Sequence, residues 1–183
     1  NYEDHITPDR LSEYDAGANT LTLLKSLPPR FRSDELQVLQ HMTKSADGEA
    51  VPYFVIHRKG VKLDGSTPTI LYGYGGFEIS LKPSYSATIG KLWLERGGAY
   101  AVANIRGGGE FGPRWHKAAL KTNRQRAYDD FIAVGEDLAR RGITSPRRLG
   151  ISGGSNGGLL VGAIFTQRPD LLNAVVCRVP LLD

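Results

Sequence analysis

The sequence has few of the residues that mark disulfide-rich, membrane-spanning or metal-binding proteins. Only one of its 183 residues is a cysteine, so no internal disulfide can form, and the position of Cys177 in an apolar run predicts a small buried thiol. A single cysteine is compatible with a reducing, cytoplasmic location. No apolar run reaches the length of about eighteen residues that a membrane span needs, and candidate metal ligands show no recognisable spacing. We therefore expect no membrane partner, no metal and no other cofactor.

Charge of one sign is not concentrated anywhere along the chain. Lysine and arginine together number 23 and aspartate and glutamate 19, which gives a formal net charge of +4. The chain has small basic clusters such as Arg140-Arg141 and Arg147-Arg148. Such clusters are typical of solvated helix ends and loops rather than of a nucleic-acid-binding face. The share of hydrophobic residues, 40%, indicates a globular chain. We expect no nucleic-acid partner, and composition leaves the oligomeric state open.

Two regions of different pattern follow one another along the chain. Residues 1–30 are polar, contain turn-forming pairs and close on Leu27-Pro28-Pro29, which predicts short extended pieces and a linker. Residues 35–43 and 51–58 then predict two antiparallel strands joined at Asp47-Gly48, a strong hairpin signal.

From about residue 69 onward, short apolar strands alternate with helical patterns. This order favours the α/β class, with a parallel sheet covered on both faces. The predicted strands are 69–73, 99–105, 148–152 and 174–179, and the predicted helices are 85–96, 127–141 and 156–167. In the second helix, Phe131, Val134 and Leu138 form an apolar stripe that we expect to face the sheet.

The most informative motif lies between the third of these strands and the third helix. Gly153-x-Ser155-x-Gly157 matches the G-x-S-x-G pattern of a nucleophile elbow, in which glycines let strand and helix approach while a strained serine exposes its hydroxyl. The alternatives are a plain strand-to-helix turn or an anion-binding glycine loop. A phosphate-binding P-loop is disfavoured, because Leu159 stands where that motif requires lysine.

A serine nucleophile needs a base and hydrogen-bond donors for the oxyanion. The backbone N–H of Asn156, at the start of the predicted helix, can supply one donor. In this architecture an acid and a histidine follow the serine, yet the last of the four histidines is His116. We expect structural or surface use for His116. The 183 residues alone should be nearly inactive, because the base is missing.

Four collinear stretches extend the likeness beyond the elbow. They are residues 63–66 leading into 71–77, residues 101–110, residues 115–117, and residues 153–160 followed by 167–171. With them the chain resembles the prolyl oligopeptidase (prolyl endopeptidase) family of serine peptidases, as a fragment that ends shortly after the elbow. The resemblance implies that residues 1–30 are the end of a β-propeller and a linker. Residues 31–183 would then be the N-terminal part of an α/β-hydrolase domain, with antiparallel strands first and a parallel sheet with flanking helices after them.

The resemblance also implies roles for individual residues. Ser155 matches the nucleophile, the Asn156 backbone N–H and the Tyr74 hydroxyl match the two donors of the oxyanion hole, and Phe77 matches an aromatic residue that stacks on a bound proline ring. Without the resemblance, Tyr74 would be taken for a core or rim tyrosine and Phe77 for a packing residue.

The implied function is that of a serine-type oligopeptidase that hydrolyses peptide bonds after proline, with a peptide as its partner. Two alternatives stay open: a serine esterase or oligopeptidase without proline preference, and a non-catalytic interaction module on the same fold. We expect most of the residues that decide substrate specificity to lie beyond Asp183.

Overall fold

The computed structural model describes residues 1–182, and these residues form a mixed α/β structure. Its strands are β1 (Arg10–Asp15), β2 (Thr20–Ser26), β3 (Leu36–Lys44), β4 (Ala50–Arg58), β5 (Thr69–Tyr72), β6 (Ala99–Ala103), β7 (Leu149–Gly154) and β8 (Ala174–Arg178). Its α-helices are α1 (Ala87–Leu92), α2 (Pro113–Lys117), α3 (Gln125–Arg140) and α4 (Asn156–Gln167). Short 3₁₀ helices occupy Leu94–Arg96, Lys121–Asn123 and Pro169–Leu171.

The strands belong to two separate sheets. β1 and β2 pair as an exposed antiparallel hairpin, which agrees with the extended pieces predicted for residues 1–30. The other six strands lie in the order β3-β4-β6-β5-β7-β8. β3, β4 and β6 pair antiparallel, whereas β6, β5, β7 and β8 run parallel. The predicted change from an antiparallel start to a parallel sheet is therefore confirmed.

One face of the large sheet carries the main core. The stripe of α3, with Phe131, Val134 and Leu138 at most 1% exposed, packs there together with α4, as the sequence pattern predicts. A smaller cluster covers the β3, β4 and β6 part of the opposite face, where Phe31 packs against α1. Burial of these apolar side chains provides the main favourable free energy of folding.

The opposite face is less covered than the apolar strands predict. Over β5, β7 and β8 the described residues leave a cleft of about 920 Å³, lined among others by Tyr72, Tyr100, Ser152 and Val176. Cys177, predicted to be buried, is exposed, because β8 is the outermost strand of the described sheet. The apolar run around it identified a strand correctly but did not reveal that residues 1–182 supply a neighbouring strand on one side only.

Helix boundaries show two further differences. The helix predicted for 85–96 begins at Ala87, because the Ser86 hydroxyl caps it by accepting a hydrogen bond from the Ile89 N–H. It ends at Leu92 and is followed by a 3₁₀ turn. α2 was not predicted, because its five residues are too few for a periodic pattern, although Pro113 after Gly112 is a helix-start signal.

Candidate active site

Ser155 lies between the last residue of β7 and the first residue of α4. Its backbone has φ 57° and ψ −119°, a conformation that residues with a side chain rarely adopt. Strain of this kind costs about 1–3 kcal/mol and persists only where the surrounding structure imposes it. The side chain is half-buried rather than enclosed in the core. The strand, single strained serine and helix of the predicted elbow are all present.

The glycines around Ser155 are required by close approach of the backbone. A Cβ atom on Gly153 would overlap the carbonyl oxygen of Gly157, and a Cβ on Gly157 would lie 2.6 Å from the carbonyl oxygen of Gly73. Strand β7, the first turn of α4 and the end of β5 therefore pack with no room for a methyl group. The G-x-S-x-G pattern reflects this packing.

The sheet register places Tyr74 beside the elbow. β5 and β7 are neighbouring parallel strands in which Tyr72 pairs with Ser152. Tyr74 and Gly154 both lie two residues beyond that pair, so the chain segments carrying Tyr74 and Ser155 leave the same edge of the sheet. β6 and β7 lie on opposite sides of β5, so the order of the strands along the sheet reverses at β5. In open α/β sheets a crevice forms at such a reversal, beyond the carboxyl ends of the strands. The ring of half-buried Tyr74 lies 3.6 Å from the position that a Cβ on Gly157 would take.

Asn156 joins the elbow to the Tyr74 segment. It is the first residue of α4, so its N–H has no acceptor within the helix and lies at the positive end of the helix dipole. Its buried side chain donates from Nδ2 to the carbonyl oxygen of Tyr74 over 2.5 Å and accepts at Oδ1 from Nη2 of Arg124 over 3.3 Å. The structure thus brings Ser155, Asn156 and Tyr74 together.

Phe77 lies three residues farther along the same segment and is 65% exposed. Within the described residues the Phe77 ring is therefore not packed in a core, whereas composition alone suggested a packing residue. Phe77 and the next residue, Glu78, both have left-handed backbone conformations, with φ angles of 54° and 57°. Two such residues in succession turn the chain sharply at this point. An exposed ring on a constrained turn is available to stack on a ligand.

The glycine-rich loop of residues 106–110 is held by side-chain contacts to other parts of the chain. Arg106, only 3% exposed, forms a bidentate pair with the fully buried Asp130 and a second pair with Asp47. Glu110 accepts a hydrogen bond from the Leu81 N–H over 2.9 Å. The glycine-rich residues 106–110 therefore form a loop held in shape by Arg106 and Glu110.

The histidines lie away from the serine hydroxyl. His116 Nδ1 is 2.7 Å from the carbonyl oxygen of Gly107 and 3.1 Å from the Glu78 nitrogen, and it can either donate to the first or accept from the second. Either hydrogen bond holds His116 against a neighbouring loop, in line with a structural role. His41 is on β3 and His57 on β4, and three and two strands, respectively, lie between them and β7. Within residues 1–182, the Ser155 side chain makes no hydrogen bond to a histidine.

Other kinds of site have little support in this part of the chain. The described residues contain no group of three or more histidine, cysteine, aspartate or glutamate side chains arranged to hold a metal ion. No helix among them combines the length and apolar character required to cross a bilayer.

Arg124 was not identified from sequence, because its contacts to Gly75 and Asn156 join residues 32 or more positions apart and leave no local pattern.

Comparisons with known proteins agree with this geometry. The sequence model of the prolyl oligopeptidase family matches residues 83–183. An uncharacterized peptidase of Sinorhizobium fredii is 60% identical over 99% of the chain, and the prolyl endopeptidase of Elizabethkingia meningoseptica is 42% identical over all of it. A post-proline cleaving enzyme from Rickettsia typhi superimposes with a TM-score of 0.91 at 46% identity over 99% of the chain.

The chain spans only about a quarter of the length of these relatives, namely 25% and 26% of the two sequences and 26% of the solved structure. The residues that match the family's sequence model make up more than half of the chain and include the elbow. The chain therefore belongs to the prolyl oligopeptidase family.

Proposed function

We propose that the protein carrying this chain is a serine-type peptidase that cleaves peptide bonds after proline through an acyl-enzyme on Ser155. The observation that supports this most is the strained, half-buried Ser155, which shares one sheet edge with Tyr74 and with the helix N-terminus at Asn156. A serine hydroxyl beside two hydrogen-bond donors is the arrangement that acyl transfer requires.

In the proposed reaction the Ser155 oxygen attacks the scissile carbonyl carbon while a base takes the hydroxyl proton. The carbonyl oxygen becomes an oxyanion, which accepts hydrogen bonds from the Asn156 N–H and the Tyr74 hydroxyl. The C–N bond then breaks, the amine leaves with the proton, and water later releases the acyl group by the same steps. The aspartate and histidine of this triad would come from residues other than 1–183.

Proline preference is supported by Phe77 and by the names of the relatives. A proline ring is flat and apolar, and an exposed phenyl ring on a constrained turn can stack on it. A prolyl oligopeptidase B from Galerina marginata has been solved with 25- and 35-residue peptide substrates and is 32–33% identical to this chain. We therefore propose peptides as the substrates of this protein too.

The proposal includes a division of the chain. Residues 1–30, with the exposed β1–β2 hairpin, would be the end of a β-propeller and a linker, and residues 31–183 would be the first part of the peptidase domain. The exposed leucines of β2 are consistent with a strand that packs on further strands. We also propose a cytoplasmic location, with which the single cysteine is compatible.

Hydrolysis of a fluorogenic glycyl-prolyl amide by the full-length protein tests this function. The expected result is release of the fluorophore by the wild type and loss of activity in Ser155→Ala. Faster hydrolysis of an alanyl or arginyl amide would contradict the proline preference, and hydrolysis of simple esters alone would favour an esterase. No hydrolysis of any of these substrates would favour an interaction module.

The 183-residue chain alone should hydrolyse the same amide very slowly. In the part of the chain that the structure describes, no histidine is hydrogen-bonded to the Ser155 side chain, and removal of one triad member eliminates most of the catalysis. Rates within about tenfold of the full-length protein would contradict this part of the proposal.

A further inference from the structure

The two proposed oxyanion donors are on different elements of the fold. Tyr74 follows β5 on a loop, whereas the Asn156 N–H begins α4. An oxyanion hole works only when both donors lie about 2.7–3.1 Å from the developing charge. Something must therefore hold the loop and the helix at a constant separation.

Three hydrogen bonds connect these two elements, two of them through Arg124 and the third directly. Nη1 of Arg124 donates to the carbonyl oxygen of Gly75 over 2.5 Å, and Nη2 donates to Oδ1 of Asn156 over 3.3 Å. The same Asn156 side chain donates from Nδ2 to the carbonyl oxygen of Tyr74 over 2.5 Å. One guanidinium therefore holds the Tyr74–Gly75 loop and the first residue of α4 at the same time.

The surroundings of this link restrict its movement. Arg124 is half-buried, its Nε atom is shielded from water, and its guanidinium lies 5.3 Å from the centre of the Tyr128 ring. Gly76 packs so closely on the Asn156 amide that a Cβ atom there would overlap it. Hydrogen bonds to a charged donor in such a shielded place are stronger than those in water.

We propose that Arg124, acting through the Asn156 side chain, is a positioning residue that sets the separation of the two oxyanion donors. Arg124 itself does not reach the reacting atoms. This inference rests on the proposed function, because it assigns a role within the same site.

The expected signature is a loss in kcat without a matching change in KM. In the full-length protein Arg124→Met keeps an unbranched apolar stem but removes every donor, so kcat should fall about 10- to 100-fold, as expected when reacting groups are displaced by about 1 Å. Arg124→Lys retains a single charged donor group that cannot form the planar two-pronged contact, and its loss should be intermediate. Arg126→Met is the matched control: Arg126 lies two residues farther along, in the first turn of α3, and is 45% exposed, and it should retain the wild-type rate.

A double-mutant cycle separates positioning from general stability. If Arg124 acts through the donors, Arg124→Met should reduce kcat less than about threefold in a Tyr74→Phe background, because one of the two donors is already missing. A peptide aldehyde, whose adduct with Ser155 uses the oxyanion hole, should bind more weakly in proportion to kcat. A product peptide should bind with unchanged affinity.

Several results would overturn the inference. These are a full 10- to 100-fold loss in the Tyr74→Phe background, a rise in KM with kcat unchanged, or equal weakening of the aldehyde and the product peptide. If Arg124→Met does not fold, Asn156→Ala, which keeps the backbone N–H but removes the side-chain link, is read by the same criteria.

The same assays distinguish failure of this inference from failure of the proposed function. If Ser155→Ala and Tyr74→Phe both retain the wild-type rate, the proposed function is wrong and the positioning role is wrong with it. If those variants lose activity while Arg124→Met does not, only the positioning role is wrong.

Discussion

Tyr72 and Ser152 are direct partners in the ladder between the parallel strands β5 and β7. This pairing determines which residues meet beyond the ends of the two strands. Tyr74 and Ser155 follow the pair by two and three residues, and Asn156 contacts the Tyr74 carbonyl oxygen. The candidate site is therefore a consequence of strand order and register, and each part of it can be tested separately.

Replacing the Tyr74 hydroxyl should reduce catalysis while leaving substrate binding intact. Tyr74→Phe removes one proposed oxyanion donor, and the loss of one such donor lowers kcat about 10²- to 10³-fold. Because the ring remains, the unfolding midpoint and KM should change little. Steady-state kinetics on a prolyl amide check this, and an unchanged kcat would exclude Tyr74 from the oxyanion hole.

Gly153 should tolerate no side chain, unlike the neighbouring glycine. In Gly153→Ala the new methyl group would overlap the carbonyl oxygen of Gly157, so we expect at least about 1–3 kcal/mol of destabilisation and loss of activity. Gly154→Ala is the control, because the nearest atom to its Cβ would be 3.7 Å away. Denaturant unfolding and amide hydrolysis should separate the two variants, and equal behaviour would mean that the elbow is less tightly packed than described.

Phe77 should influence substrate selection but not folding. Since its side chain is 65% exposed, Phe77→Ala should leave the unfolding midpoint within about 1 °C of the wild type, corresponding to little lost packing. The value of kcat/KM for a prolyl amide should fall about tenfold or more, with a smaller change for an alanyl amide. Equal losses on both substrates would indicate that Phe77 does not contact the proline ring.

The buried ion pair of Arg106 should matter far more than an exposed pair. Arg106→Met leaves Asp130 as an uncompensated charge that is fully buried, so a loss of about 3–5 kcal/mol is expected. Arg168→Met removes pairs with Glu136 and Asp170 at the surface and should cost less than about 1 kcal/mol. Similar losses of unfolding free energy in the two variants would show that the Arg106 network is not as enclosed as the structure has it.

Because of Asp137, the free energy of unfolding should decrease as the pH falls below about 4. Burial opposes its ionisation, but hydrogen bonds from Tyr53, over 2.5 Å, and from Arg141 outweigh this and hold the pKa of Asp137 below its ordinary value. The unfolded state then binds more protons, so the stabilisation is complete above the ordinary aspartate pKa and is lost as pH falls through the lower, folded value.

Tyr53→Phe tests this dependence. Without the phenol hydroxyl the pKa of Asp137 should move back toward its ordinary value, and the variant should be about 1–3 kcal/mol less stable at pH 7. Between pH 5 and pH 2 the free energy of unfolding should therefore decrease less in Tyr53→Phe than in the wild type. Parallel curves of unfolding free energy against pH for the two proteins would contradict this role of Tyr53.

Local patterns in the sequence were sufficient to predict most elements. The apolar runs identified β5, β6 and β8 to within about two residues, and α4 was predicted with both of its ends, because Ser155 and the glycines mark its start. The stripe of Phe131, Val134 and Leu138 identified the buried face of α3. Where strong local chemistry determines structure, sequence reasoning was reliable.

Strand order and long-range contacts could not be predicted in this way. Nothing near β6 shows that it lies between β4 and β5, and nothing near Cys177 shows that β8 is outermost. The contacts of Arg124 and Asn156 join residues that are 32 to 82 positions apart. Such contacts depend on how the whole sheet is assembled, so they became visible only in the structure.

Reaction of the full-length protein with a fluorophosphonate, followed by peptide mass mapping, tests the central role of the strained serine most directly. The expected result is one covalent adduct per chain, located on Ser155, with no adduct in Ser155→Ala and normal folding of that variant. Retention of the adduct in Ser155→Ala, or its location on another serine, would contradict the assignment of Ser155 as the nucleophile.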